Sequence, residues 1–242
     1  VVRWSIPLLL VVFASVLAFG CSDSIFSHKV CCAGPPAELV SSEKQLHKRM
    51  AQIIQGLRAY HEEFGTLPPA YTTDENGQPL TSWRVLILPQ MGFQAIYDQY
   101  DQSQPWDSPA NQAWANQTPA PYQDPLYTDG EPGWTTFVGI VGAGLPLGAN
   151  GSAGRSLWSD SLTNGALLVE DLAQPVIWSQ PVDRSPDEIL ARESLRCEKA
   201  PYLNVGLADE KVWQFTDATR HTLEQLLRPE DNSTPENTVE HP

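Results

Sequence analysis

An α+β fold, with one amphipathic helix laid across a small antiparallel sheet and long irregular loops, is what this chain of 242 residues predicts. Three observations carry that expectation. Apolar residues recur at three- and four-residue spacings from Leu46 to Phe64, the period of one helix face. After Pro119 the sequence changes to short segments rich in β-branched residues, the composition of strands. The 41% hydrophobic content is enough for a packed core, while 21 prolines and 16 glycines break the chain often.

The first element is an export segment. Arg3 precedes the apolar run Ile6–Phe19. Fourteen helical residues span about 21 Å, short of the roughly 30 Å hydrocarbon core, so the run suits the apolar part of a signal peptide. Gly20-Cys21 resembles a bacterial lipoprotein cleavage box and makes Cys21 a candidate lipidation site, although Phe19 is bulky for such a box. A lipoprotein, an uncleaved single-span anchor and a cleaved signal peptide all fit. Residues 1–21 are thus expected to be a signal peptide or membrane anchor, and the protein exported and membrane-anchored in the cell envelope. Residues 22–41 read as a linker, 42–228 as the globular domain, and 229–242 as an acidic, disordered tail without Lys or Arg.

Cysteines stand at 21, 31, 32 and 197, with no C-x-x-C and no matching histidine spacing. That pattern argues against zinc. In an exported protein, Cys31 or Cys32 is a candidate disulfide partner for Cys197. No cofactor and no metal are expected. The net charge of -14 opposes the phosphate contacts that drive nucleic-acid binding, and it gives the globular part no attraction to an anionic membrane surface.

The helix carrying the apolar stripe is expected to start at Ser42, with Gln45 completing a capping box, and to end at Gly65, before Pro68-Pro69. Its Ile53 and Leu57 should pack on strand residues such as Val138, Ile140, Leu168 or Val212, because helix on sheet is the economical layering. Asp74–Gly77 reads as a turn. Ser82 caps a short helix stopped by Pro89, and Phe93, Ile96, Tyr97 and Tyr100 mark a second amphipathic helix. Pro105–Pro109 reads as rigid and extended, with Trp106 largely buried. Strands are expected over Thr135–Val141, Ala166–Glu170 and Val176–Ser179, separated by a glycine-rich loop. A helix should follow from Ser185 to about Arg196. Leu203–Leu207 and Lys211–Phe215 read as a hairpin about Asp209-Glu210, and a last helix should run from about Ala218 to Leu227.

No nucleophile elbow or metalloprotease motif occurs. Asp107, Asp160, Glu170 and Asp183 lie beside aromatics or turns, where functional carboxylates and ordinary turn carboxylates both lie, so no catalytic residue is assigned. A carboxylate-based hydrolase is the weakest of the functional readings.

The order of the segments resembles a known family. "LRAYHEEFGTLPPAY" (57–71) and "GQPLTSWRVLILPQMGFQAIYDQYDQSQPWDSPANQ" (77–112) resemble the family catalogued as domain of unknown function 1559, also labelled a bacterial solute-binding-protein type. "FVGIVGAG" (137–144), "WSDSLTNGALLVED" (158–171), "VIWSQPVD" (176–183) and "NVGLADEKVWQF" (204–215) are similar to its later segments. The motif positions carried over are Pro68, Pro69, Trp83, Arg84, Pro105, Trp106, Asp107, Asp160, Asn164, Glu170, Trp178 and Asp209, all expected to be structural. The resemblance implies a type IV pilin- or pseudopilin-like domain, a long helix on a small sheet. The chain departs from it in lacking a Gly-Phe-Thr-Leu-x-Glu prepilin site and in having Asp160-Ser161 and Asp209-Glu210 for Asp-Gly.

The function expected is a structural or interaction role without catalysis, attached to the membrane through the N-terminus, with protein partners in the envelope. The alternative is an extracytoplasmic module binding a small solute or glycan of unknown identity. Fractionation of the native host checks the first expectation: the protein should sediment with membranes, and recovery in the soluble cytoplasm would refute export. Cys21→Ala should abolish acyl labelling and release the protein if Cys21 is lipidated, and change nothing if the anchor is a plain helix.

Overall fold

The computed structural model describes residues 37–128, 130–142, 145–148, 165–195 and 201–228. The apolar run, the acidic tail, Cys21, Cys31, Cys32, Cys197, Asp160 and Asn164 lie outside the described residues. Six helices are present among them: α1 (Ala37–Phe64), α2 (Trp83–Leu86), α3 (Gln94–Tyr97), α4 (Gln112–Ala115), α5 (Pro186–Leu190) and α6 (Arg220–Leu227). The strands are β1 (Tyr71–Thr73), β2 (Pro79–Ser82), β3 (Trp134–Thr135), β4 (Phe137–Gly139), β5 (Ala166–Glu170), β6 (Val176–Ile177), β7 (Leu203–Leu207) and β8 (Val212–Phe215). Among the described residues no helix is long and apolar enough to cross a membrane.

α1 is a continuous helix of 28 residues. It starts five positions before Ser42, the expected cap, because nothing in Ala37–Val40 interrupts a helix. It ends where expected: Gly65 takes φ +78°, a conformation a side chain disfavours, and its N–H donates to the His61 carbonyl at 2.8 Å. Leu46, Met50, Ile53, Ile54 and Leu57 are wholly buried. The stripe then leaves the core, for Phe64 is 54% exposed and rests on the Tyr60 ring at 4.4 Å. Gly56 has a packing reason that outweighs its poor helix propensity. A Cβ there would lie 2.6 Å from Met91 Cγ, so any larger residue would force the Met91 side chain to shift.

The main sheet has four antiparallel strands in the order β4-β5-β7-β8. Alternate residues face opposite ways, and this sorts the core into two layers. Phe137, Leu168 and Val212 join α1, and Ile54 Cδ1 comes within 2.9 Å of where a Cβ on Gly206 would stand. Val138, Ile140, Val169 and Val205 join Ile189 of α5 and Leu223, Leu226 and Leu227 of α6. Leu168 and Val212 thus belong to the core that α1 covers, as expected. Val138 and Ile140 do not, since they share a parity opposite to Phe137. The second helical layer, α5 with α6, was not foreseen.

Three other expectations change. The strand expected over Thr135–Val141 divides: β3 pairs with β6, and β4 pairs with β5. The threonine hydroxyls explain the break, since Thr135 Oγ1 accepts from Phe137 N at 3.2 Å and Thr136 Oγ1 donates to Asp124, competing with ladder geometry. The amphipathic helix at Phe93–Tyr100 shrinks to one turn, α3, because the Asn111 side chain holds Asp101 N and O at 2.9 and 2.8 Å. The Ser185–Glu188 capping box is present, yet α5 stops at Leu190, whose carbonyl accepts from Arg220 at 2.8 Å. The Asp74–Gly77 turn closes an unpredicted hairpin of β1 and β2, with Asp74 Oδ1 accepting from Asn76 N and Gln78 N.

The hairpin of β7 and β8 turns at Asp209-Glu210, where Glu210 has φ +68°. Its carboxylate holds Gln55 at 2.9 Å and Arg58 at 3.0 Å, both on α1. Left-handed backbone costs a non-glycine residue roughly 1–2 kcal/mol, and such exposed contacts return only about 0.2–1 kcal/mol. Glu210→Ala keeps the strain and loses the contacts, so it should destabilise. Glu210→Gly should be more stable than Glu210→Ala by about 1 kcal/mol, a difference that urea unfolding midpoints will read.

Candidate functional site

The densest polar constellation is built around Arg84. Ser82 caps α2 by accepting from Arg84 N, which points the following side chains inward. The Arg84 guanidinium, wholly buried, donates from Nε to the Phe137 carbonyl at 2.9 Å and from one terminal nitrogen to Ser82 Oγ at 2.9 Å. The other terminal nitrogen reaches Asp183 Oδ1 at 2.7 Å and the Val182 carbonyl at 3.2 Å. The same Asp183 oxygen accepts from Trp83 Nε1 at 3.0 Å and Gly139 N at 2.7 Å. Tyr122 donates its hydroxyl to the Arg84 carbonyl at 2.7 Å. Its ring stacks on Trp178 at 5.9 Å and meets the edge of Trp83 at 6.4 Å. Burial pushes the Tyr122 phenol well above its ordinary pKa, so it stays a donor.

Asp171 forms a second buried centre, accepting from Arg184 Nε at 2.8 Å and from Arg192 at 2.7 Å. A third brings the buried carboxyls of Asp124 and Glu170 beside each other, with Asn204 Nδ2 donating to Glu170 Oε2 at 2.6 Å. Burial is the first cause of a raised pKa in both carboxyls.

The motif positions divide by placement. Trp83, Arg84, Pro68, Glu170 and Trp178 are buried, and Pro69 and Asp209 are half-buried. Pro105 and Asp107 are exposed, and Trp106 is only half-buried and belongs to neither core cluster. Trp106 therefore departs from expectation. The Pro105–Pro109 segment also turns rather than extends, with Ser108 N donating to the Pro105 carbonyl at 3.0 Å and Asn111 Nδ2 donating to the same carbonyl at 3.0 Å. Sequence reading passed over Tyr122 and Asn111. A tyrosine between prolines and an asparagine after Pro109 carry no periodic signal.

An open groove of about 460 Å³ lies between Asn116–Thr118, Gln123–Asp124, Tyr127 and Gly130–Trp134. Trp134 and Tyr127 are half-buried in its wall, and Gln117, Gln123 and Glu131 are exposed. Neither Trp106 nor Trp178 is part of it. Among the described residues no three His, Cys, Asp or Glu side chains are placed to hold a metal ion.

Residues 45–141 match the model of a family described as "Protein of unknown function (DUF1559)". Over this segment the chain is similar to that family. The match runs from α1 to just past β4 and holds Trp83 and Arg84, while the DUF1559-like segments at 158–171, 176–183 and 204–215 lie beyond it. No curated protein matches the chain, and no solved structure does.

Breaking a buried ion pair by removing one partner costs about 3–5 kcal/mol. Arg84→Met should therefore lower unfolding free energy by that order, leaving Asp183 without its counter-charge. Trp83→Ala should cost about 3–5 kcal/mol as a core aromatic, and Trp106→Ala distinctly less. Denaturant titration of the three variants checks the ranking.

Proposed function

We propose that this protein is an exported, membrane-anchored, pilin- or pseudopilin-like component of the cell envelope, with a structural or interaction role and no catalysis. The observation that carries the reading is α1, a 28-residue helix whose buried stripe from Leu46 to Leu57 shares one core with the four-stranded antiparallel sheet. That layering is what the family resemblance implied for a pilin-like domain. The use of buried charge supports the same reading. Arg84, Arg184, Asp171 and Asp183 bind one another and backbone groups across distant parts of the chain, which is how a scaffold uses charge. The polar, exposed face of α1, with Gln52, Gln55 and Glu62, is the surface a partner would meet.

The groove at Trp134 favours one second reading, a module for a neutral sugar or related solute. An aromatic wall with amide side chains beside it suits the stacking and hydrogen bonding that such ligands need. A hydrolase gains less support. Hydrolytic carboxyl pairs stand roughly 5–10 Å apart with substrate between them, whereas Asp124 and Glu170 are 8% and 2% exposed and leave no open cleft between them for a substrate.

A photo-crosslinking side chain at Gln52 in the native host should capture a specific envelope protein, and the same group at the groove residue Gln123 should not. Calorimetry with neutral oligosaccharides tests the second reading: binding abolished by Trp134→Ala would favour the module over the scaffold.

A further inference from the structure

Glu170 ends β5 on the face covered by α1, and it is 2% exposed. Its two oxygens are treated differently. Oε2 accepts from Asn204 Nδ2 at 2.6 Å, and Oε1 is buried with no hydrogen-bond partner. The neighbour is Asp124, itself 8% exposed. Asp124 is fully supplied as an anion: Oδ1 accepts from Leu126 N at 2.7 Å, and Oδ2 accepts from the Thr136 hydroxyl. Two anions touching in a dry site repel, and Glu170 Oε1 would lack a partner besides. One proton on Glu170 removes both faults at once, since Oε1–H then donates to Asp124.

We propose that Asp124 and Glu170 share one proton as a pH-sensitive latch, which holds the 120–127 segment against β5 and opens when the proton leaves. The surrounding groups agree with the proton's place. From α1, Arg49 favours the charged form of Asp124, and Glu43 disfavours the charged form of Glu170. His47, also on α1, reaches Asn204 Oδ1 at 3.3 Å, and Gln214 of β8 donates to that oxygen at 3.3 Å. Both contacts orient the Asn204 amide with its nitrogen toward Glu170. Burial first, and then the Asp124 charge, raise Glu170 well above the ordinary glutamate range.

The sign of the effect follows. A carboxyl whose folded pKa lies above its unfolded one stabilises the fold fully below the unfolded value, and that contribution is lost as pH rises through the folded value. Acid therefore closes the latch and alkali opens it. Asp124 and Gln123 also border the Trp134 groove, so opening loosens one groove wall. The latch itself needs no ligand and stands whether or not the groove binds one.

The test uses the full-length chain. Wild type should show an infrared band of a protonated carboxyl at neutral pH, lost at alkaline pH together with protection of the Leu126 amide, while β7 amides stay protected. Its folding equilibrium should weaken by up to about tenfold per pH unit between the unfolded and folded values of Glu170. Glu170→Gln supplies a permanent N–H donor to Asp124, so it should lack the band and lose that slope, leaving only what other groups contribute. Equal slopes in wild type and Glu170→Gln, or no protonated-carboxyl band in wild type at neutral pH, overturn the proposal. If Glu170→Gln does not fold, the wild-type band and its coincidence with Leu126 exposure decide alone.

Discussion

The fold depends on the clasp between Arg84 and Asp183. A buried guanidinium is tolerable only when its donors are satisfied and its charge is met, and Arg84 meets that condition by drawing on three separate parts of the chain. It takes Ser82 at the end of β2, the Phe137 carbonyl on β4, and the Gln180–Asp183 segment after β6. Asp183 then binds Gly139 N, which ends β4, and Trp83 Nε1. The pair therefore fixes where the β1–β2 hairpin, the main sheet and the crossing loop meet. Tyr122 and Trp178 pack around it and exclude water from it, which strengthens every polar contact inside.

The rest of the architecture is arranged on that frame. α1 needs a flat apolar surface, and the parity of Phe137, Leu168 and Val212 provides one. Gly56 and Gly206 mark where neighbouring groups come closest to it. The opposite parity would face water without α5 and α6, whose Ile189, Leu223 and Leu227 cover it. Asp171 with its two arginines ties the β5 end to the chain leading into and out of α5, a smaller version of the arrangement at Arg84.

Sequence alone made the long-period features legible. The α1 stripe, its Gly65 stop, the Ala166–Glu170 strand and the β7–β8 hairpin follow from local periodicity and turn chemistry, and they stand where expected. What stayed hidden was decided by contacts between distant residues. Thr136 breaks a strand because its hydroxyl meets Asp124, and α3 stops after one turn because Asn111 claims the backbone of Asp101. The aromatic-rich block from Ser82 to Gln112 was also unevenly read. Trp83 is core and Trp106 is not, yet both sit among the same residue types, and only their three-dimensional neighbours differ. The Asp124–Glu170 contact joins carboxyls 46 positions apart, a separation that no spacing rule connects.

The Arg84 clasp has a consequence for how the chain acquires its structure during synthesis. Apart from Ser82, the residues that meet the guanidinium follow it by 53 to 99 positions, so the charge is made long before its partner leaves the ribosome. Folding that must wait for such distant contacts is slow and closes late. A nascent chain ending at residue 141, the end of the family match, already holds Arg84 and β4, but it has neither β5 to pair with nor Asp183 to neutralise the buried cation. That segment is recognisable by its sequence yet is not a folding unit. Until Asp183 emerges, α1 and the Trp83 cluster are apolar surface in search of cover, which makes the interval before closure the time when this protein most needs a chaperone.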